Sequence, residues 1–221
     1  MVTAHNGIFI NRTHFSLNTQ LYAFLTKEQG LVKAVSFNRG KNKTPIVFQM
    51  CEILLKNDAK FELPRVQTLI PLAVHEELDV SSLELFLRYF IADIIYQTIP
   101  PKTPDIEAFN FLVSMKKRMK QEPAETYAFP TLFLNGWIDI LGLLPIAKAG
   151  ATDLNAEQGE FIVSQAINPS AIAWNRMIVE NTNVEKGRQK ELLHFMLFYL
   201  SKHVPNLNVS KTLEIINQTL H

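Results

Sequence analysis

Hydrophobic and polar positions follow two rhythms along this chain. Over roughly the first 70 residues, short β-branched or aromatic-rich segments recur at 7–12 (GIFINR), 20–25 (QLYAFL), 31–37 (LVKAVSF), 47–55 and 66–72. Turn-forming clusters at 27–30, 38–43 and 57–60 separate them, which predicts five short strands. Strands at this spacing build a small barrel or sandwich. From Asp79 the period becomes helical: Leu83, Phe86, Leu87, Phe90, Ile94 and Ile95 recur along 79–99, with Asp79 or Ser81 as N-cap. Three prolines within 99–104 end that helix. Further helices are predicted at 105–120, 129–144, 170–179, 186–203 and after Val209, with a loop over 146–160. The pattern gives an α+β chain, a small N-terminal β module over 1–76 followed by an all-helical module over 77–221.

Composition fits a folded protein, because 47% of the residues are hydrophobic and 19% charged. No stretch reaches the roughly 18 apolar residues that would span a bilayer. The N-terminus lacks the pattern of a signal peptide, so a cytoplasmic protein with no membrane association is expected. The whole chain carries a net charge of only +1, but the charge is unevenly placed. Residues 1–60 hold eight Lys/Arg against three acids, a net of +5, which leaves −4 for the remainder. A basic β module beside a mildly acidic helical one suggests that the β module meets an anion.

Enzyme chemistry finds little support. Gly40-Lys41 lacks both the upstream glycine and the following hydroxyl residue of a phosphate-binding loop. There is no zinc-protease helix motif, nucleophile elbow or dinucleotide fingerprint. Glu191 and His194 form one Glu-x-x-His, where a di-iron bundle needs the pattern on two helices. The single cysteine, Cys51, lies in an apolar run and reads as a buried thiol. One constellation has a physical use. Asn38-Arg39-Gly40-Lys41-Asn42-Lys43 sets three cations into six residues between two predicted strands. Such a loop can track a phosphate backbone, with Lys33 on the preceding strand, and the aromatics Phe9, Tyr22, Phe24 and Phe37 could stack bases. A solvated hairpin tip over core aromatics is the alternative.

Several segments, taken in order, resemble the RecO family of recombination mediators. The opening Phe15-Ser16-Leu17-Asn18-Thr19 leads to the strand 20–25, Thr26, and Gly30-Leu31-Val32, and the basic turn at Arg39–Lys43 follows. Phe133-Leu134-Asn135-Gly136-Trp137 through Leu141-Gly142-Leu143-Leu144-Pro145 is similar to the family's helix ending in Leu-Gly-aromatic. Arg188 through Leu193, Tyr199, His203-Val204-Pro205 and Leu213-Glu214 resemble its closing helices. The chain departs from the family at Leu17, where an acid is usual, and at Pro130-Thr131-Leu132, where arginines are frequent. It also lacks the four-cysteine zinc site that many members carry, so no metal or other cofactor is expected and 147–161 must be held by packing.

The resemblance implies an OB-fold barrel and a helical domain that together bind single-stranded DNA, anneal strands, and work with single-stranded-DNA-binding protein and RecR to load recombinase. Lys33, Arg39, Lys41 and Lys43 are the expected DNA contacts. Lys116, Lys117, Arg118 and Lys120, the dense basic run of the helical half, are the candidate site for the acidic tail of the single-strand-binding protein. A solvated helix end is the alternative for that run. The expected activity includes no catalysis. A protein-binding OB scaffold and a small hydrolase using His14, His75 or His194 are the rival readings.

Overall fold

The computed structural model describes residues 2–16, 18–37, 44–57, 62–72, 80–121, 128–181, 185–210 and 212–214. The chain divides into two units, Met1–Lys116 and Lys117–His221. The boundary expected at 76/77 falls well before that division. Helix α1 (Ser82–Thr98) and most of α2 (Ile106–Gln121) group with the β module, because α1 packs against its first strand.

The first unit is built on a closed five-stranded barrel. Its strands are β1 (Val2–Ser16), β2 (Thr19–Thr26), β3 (Gly30–Phe37), β4 (Met50–Lys56) and β5 (Arg65–Pro71), in the order β1-β2-β3-β5-β4. All pairings are antiparallel except β3 with β5, where Val35 pairs with Arg65. Strand β1 is far longer than the predicted 7–12 because it serves two partners. Residues 2–8 pair with β4 and residues 7–16 with β2. It turns from one to the other with bulges between Phe9 and Asn11 and between His14 and Ser16, which bend a strand and re-aim its side chains.

Side chains alternate across each strand. Phe9, Tyr22, Phe24, Val32, Ala34, Cys51, Ile53, Leu55 and Leu69 form the buried interior. The tight turn between β2 and β3 needs Gly30, whose φ is +67° and whose added Cβ would lie 1.9 Å from the Thr103 carbonyl oxygen. On α1, the Ser81 hydroxyl accepts from the Glu84 amide at 3.1 Å, so Ser81 is the N-cap. Arg88, 1% exposed, donates to Glu84 Oε1 through Nε at 3.1 Å and Nη2 at 2.5 Å, so its charge is paired where it is buried.

The second unit contains α3 (Phe129–Ile140), a hairpin of β6 (Asp153–Asn155) and β7 (Glu160–Ile162), α4 (Pro169–Glu180), a 3-10 turn (Lys186–Arg188) and α5 (Gln189–His203). Helix α3 stops four residues before the predicted end. Gly142, at φ +68°, takes the left-handed position, the Gly142 amide donates to Asp139 O and the Leu143 amide to Ile138 O. The predicted loop at 146–160 instead contains β6, the hairpin turn and the first residue of β7.

Trp174, with no exposed surface, organises the core of this unit. Phe161, Phe195 and Tyr199 meet its ring edge-on, and its Nε1 donates to Asn135 Oδ1 at 2.8 Å. The Asn175 side chain accepts from the Lys148 amide and donates to the Lys148 carbonyl. Thr152, Asn155 and Asn168 tie the hairpin to itself and to α4, and His203 Nε2 lies 2.7 Å from Ala156 O. No helix among the described residues is long and apolar enough to cross a membrane.

Candidate nucleic-acid interface

Register decides which side chains the barrel offers outward. Strands β2 and β3 pair Thr19 with Phe37, Leu21 with Val35, Ala23 with Lys33, and Leu25 with Leu31. Cross-strand partners share a face, and these eight lie opposite the interior set of Tyr22, Phe24, Val32 and Ala34. At one end of this outer face, Ala23, Leu25 and Leu31 are buried. At the other end, Leu21, Val35 and Phe37 are only half-buried. They line a groove of 320 Å³ together with Leu63 and with Phe15, which is 81% exposed.

Cations border this groove. The guanidinium carbon of Arg65 sits 4.6 Å from the centre of the Phe37 ring, within the range of a cation–π contact. Arg65 is brought there by the parallel pairing that closes the barrel. Lys33 lies on the same face, one outward position along β3 from Val35. Its ammonium stands 4.9 Å from the Tyr96 ring centre on α1, so the fold already holds it. Arg39, Lys41 and Lys43 follow Phe37 in sequence and lie outside the described residues.

Three of the four aromatics expected to stack bases do not face solvent. Phe9, Tyr22 and Phe24 are each at most 3% exposed and pack on one another inside the barrel, with ring centres 5.5–6.0 Å apart. Only Phe37 stands on the outer face. The sequence reading missed Arg65 and Phe15. Strand parity carried part of the missing signal, since Tyr22 and Phe24 alternate with Leu21, but the two bulges on β1 hide which way its residues point.

The basic run on α2 is not a uniformly open surface. Lys117 is exposed, whereas Lys116, Arg118 and Lys120 are half-buried. Lys116 Nζ donates to Phe48 O at 3.2 Å, capping a carbonyl on a non-glycine residue with φ +67°. On α5, Glu191 is exposed and His194 half-buried. Burial, and secondarily the charge of Lys190, holds the His194 pKa below its ordinary value, and its Nε2 is buried without a hydrogen-bond partner among the described residues. Among the described residues no three His, Cys, Asp or Glu side chains gather in a way that could hold a metal ion. His75 lies outside the described residues.

Compared with protein-family models and with curated proteins, the chain matches none. An aromatic and aliphatic groove edged by cations offers stacking surface and phosphate contacts together.

Proposed function

We propose that this chain is a RecO-type recombination mediator whose barrel is an OB-fold that binds single-stranded DNA on its outer face and catalyses no bond chemistry. The observation that carries the reading is the groove lined by Phe15 and Phe37, with Arg65 against the Phe37 ring and the Arg39–Lys43 run following directly in sequence. Bases of any identity stack on aromatic rings, and cations along the groove release counterions from the phosphates. The strand order β1-β2-β3-β5-β4 supports the OB-fold assignment. The excess positive charge of residues 1–60 and the collinear RecO-like segments support the same reading. Annealing then needs only a surface that lowers the repulsion between two phosphate chains.

In this reading the helical part meets single-stranded-DNA-binding protein and RecR. Lys117 is the open cation of the α2 run for an acidic tail. A protein-binding scaffold is the second reading, favoured by the largely apolar lining of the Phe15–Phe37 groove.

Salt titration of oligonucleotide binding tests the proposal. For single strands the slope of log affinity against log salt is about −0.7 per phosphate neutralised. The combined Arg39→Ala, Lys41→Ala, Lys43→Ala variant is expected to flatten that slope by up to about two units, with little dependence on base sequence. An unchanged slope in a folded variant removes the run from the DNA site. Wild-type protein that shows no salt-sensitive binding points to the scaffold instead.

A further inference from the structure

A second groove opens along β1 on the far side of its first bulge. It measures 350 Å³, and its lining includes Phe9, Asn11, Arg12, Thr44, Leu85 and Tyr89. Three features give it a chemistry. Tyr89 is a large ring left 50% exposed on α1, a helix whose opposite face is buried. Arg12 is exposed and makes no ion pair among the described residues; its Nη1 only reaches Thr44 Oγ1, at 3.4 Å. Asn11 has its Oδ1 engaged by the Arg12 amide at 2.7 Å, which fixes the side chain and leaves the Nδ2 amide as a donor.

The bulge explains how an exposed arginine comes to follow a buried phenylalanine so closely. Phe9 pairs with Phe24 and Asn11 with Ala23, so Ile10 is the extra residue. The strand bends there and its following side chains are re-aimed. Phe9 stays inside the barrel, while Asn11, paired with Ala23, and Arg12, paired with Tyr22, line the groove together with Leu85 and Tyr89 of α1.

We infer that this groove is a second nucleotide subsite. A base stacks on the open face of Tyr89, its phosphate meets the Arg12 guanidinium, and the Asn11 amide donates to the base edge. The inference rests on the single-stranded-DNA reading and extends the path of that strand along β1. From Asn11 to Phe15 the chain advances roughly 13 Å at about 3.3 Å per residue. That length holds about four nucleotides at the stacked spacing of about 3.4 Å, within the roughly 4–16 nucleotides that one such barrel occupies. The two grooves would then hold the two ends of one bound segment.

The test is oligothymidylate binding by the full chain, followed by fluorescence anisotropy. It compares wild type with Tyr89→Ala, Tyr89→Phe, Arg12→Ala and Phe37→Ala, with thermal melts as folding controls. An oligonucleotide of about twelve residues spans both grooves. Tyr89→Ala is expected to weaken its binding by between about five- and a hundred-fold, the range for loss of one stacked base, while Tyr89→Phe retains wild-type affinity. Arg12→Ala is expected to flatten the salt slope by about 0.7. Photo-crosslinking through bromodeoxyuridine, mapped by mass spectrometry, should reach Tyr89. If Phe37→Ala weakens binding while Tyr89→Ala and Arg12→Ala do not, the second subsite is overturned and the DNA reading stands. If wild type shows no salt-sensitive binding, both fall. The Arg12 variant keeps the test decisive should Tyr89→Ala fail to fold.

Discussion

Phe24 has no exposed surface, while Phe37, on the neighbouring strand, stands half-buried against an arginine. The two rings should answer the same mutation differently. Phe24→Ala empties part of the barrel interior and is expected to cost about 3–5 kcal/mol. Phe37→Ala leaves the interior filled, and a change of less than about 1.5 kcal/mol is expected. Urea denaturation of both variants checks this, and equal losses would mean that Phe37 is a core residue. His194 contributes a pH dependence. Its folded-state pKa is depressed, chiefly by burial, so the unfolded chain takes up a proton more readily. The associated stability is fully present above the unfolded value of 6.5 and is lost as pH falls through the lower folded value. His194→Gln should therefore show a shallower drop in melting temperature than wild type between about pH 7 and pH 5. Parallel curves would show that the folded protein protonates His194 without penalty. Residue type alone did not distinguish these cases. Tyr22, Phe24 and Phe37 are all strand aromatics, and only their position in the alternation decides which one meets solvent.

At the scale of elements, strands and helices were legible wherever one period ran unbroken. Predicted and observed bounds differ little for β2 and β3, α1 and α2, and α4 and α5, since each alternates or repeats cleanly over its length. The errors fall where local chemistry overrides the period. Helix α3 ends early because Gly142 permits a left-handed turn before Pro145 is reached. The β6–β7 hairpin escaped notice because three-residue strands are too short to show alternation. Asn168 connects that hairpin to the next helix. Its Oδ1 accepts from the Ser170 and Ala171 amides at the start of α4, its Nδ2 reaches Asp153 Oδ1, and its amide donates to Thr152 O. Asn168→Ala is expected to destabilise by about 1–2 kcal/mol, at the upper end for an N-cap because the hairpin contact is lost with it. Chemical denaturation measures it. A loss of only a few tenths would mean that solvent replaces the cap.

For the whole molecule, the change of hydrophobic period marked the end of the barrel but not the limit of its unit. That limit depends on where α1 buries its apolar face, which involves tertiary packing as well as local sequence. The groove of Phe15 and Phe37 was legible only in part, since nothing local to β5 sets its register and so places Arg65 beside Phe37. The segment 147–161 is secured by hydrogen bonds from Thr152, Asn155, Asn168 and His203 and by Phe161 against Trp174. Exhaustive dialysis against a chelator is therefore expected to leave the melting temperature unchanged. A fall of several degrees, with metal in the untreated protein by elemental analysis, would reveal a structural ion.

Because β1 serves two partners, the barrel also has a timetable. Gly7 pairs with Thr26 on one side and with Cys51 on the other, so the second pairing closes more than twice the length of chain. Each doubling of a loop adds about 0.6 kcal/mol of closure entropy, and contacts distant in sequence slow folding. The β1-β2-β3 meander can therefore assemble while β4 and β5 are still absent. During synthesis it also leaves the ribosome before β4 and β5. For that interval Phe9, Tyr22 and Phe24 have no opposite wall, and both edges of the meander are unpaired, the condition in which nascent sheets associate with one another. The double pairing of β1 that closes the finished barrel thus also leaves the unfinished one open until β4 and β5 arrive.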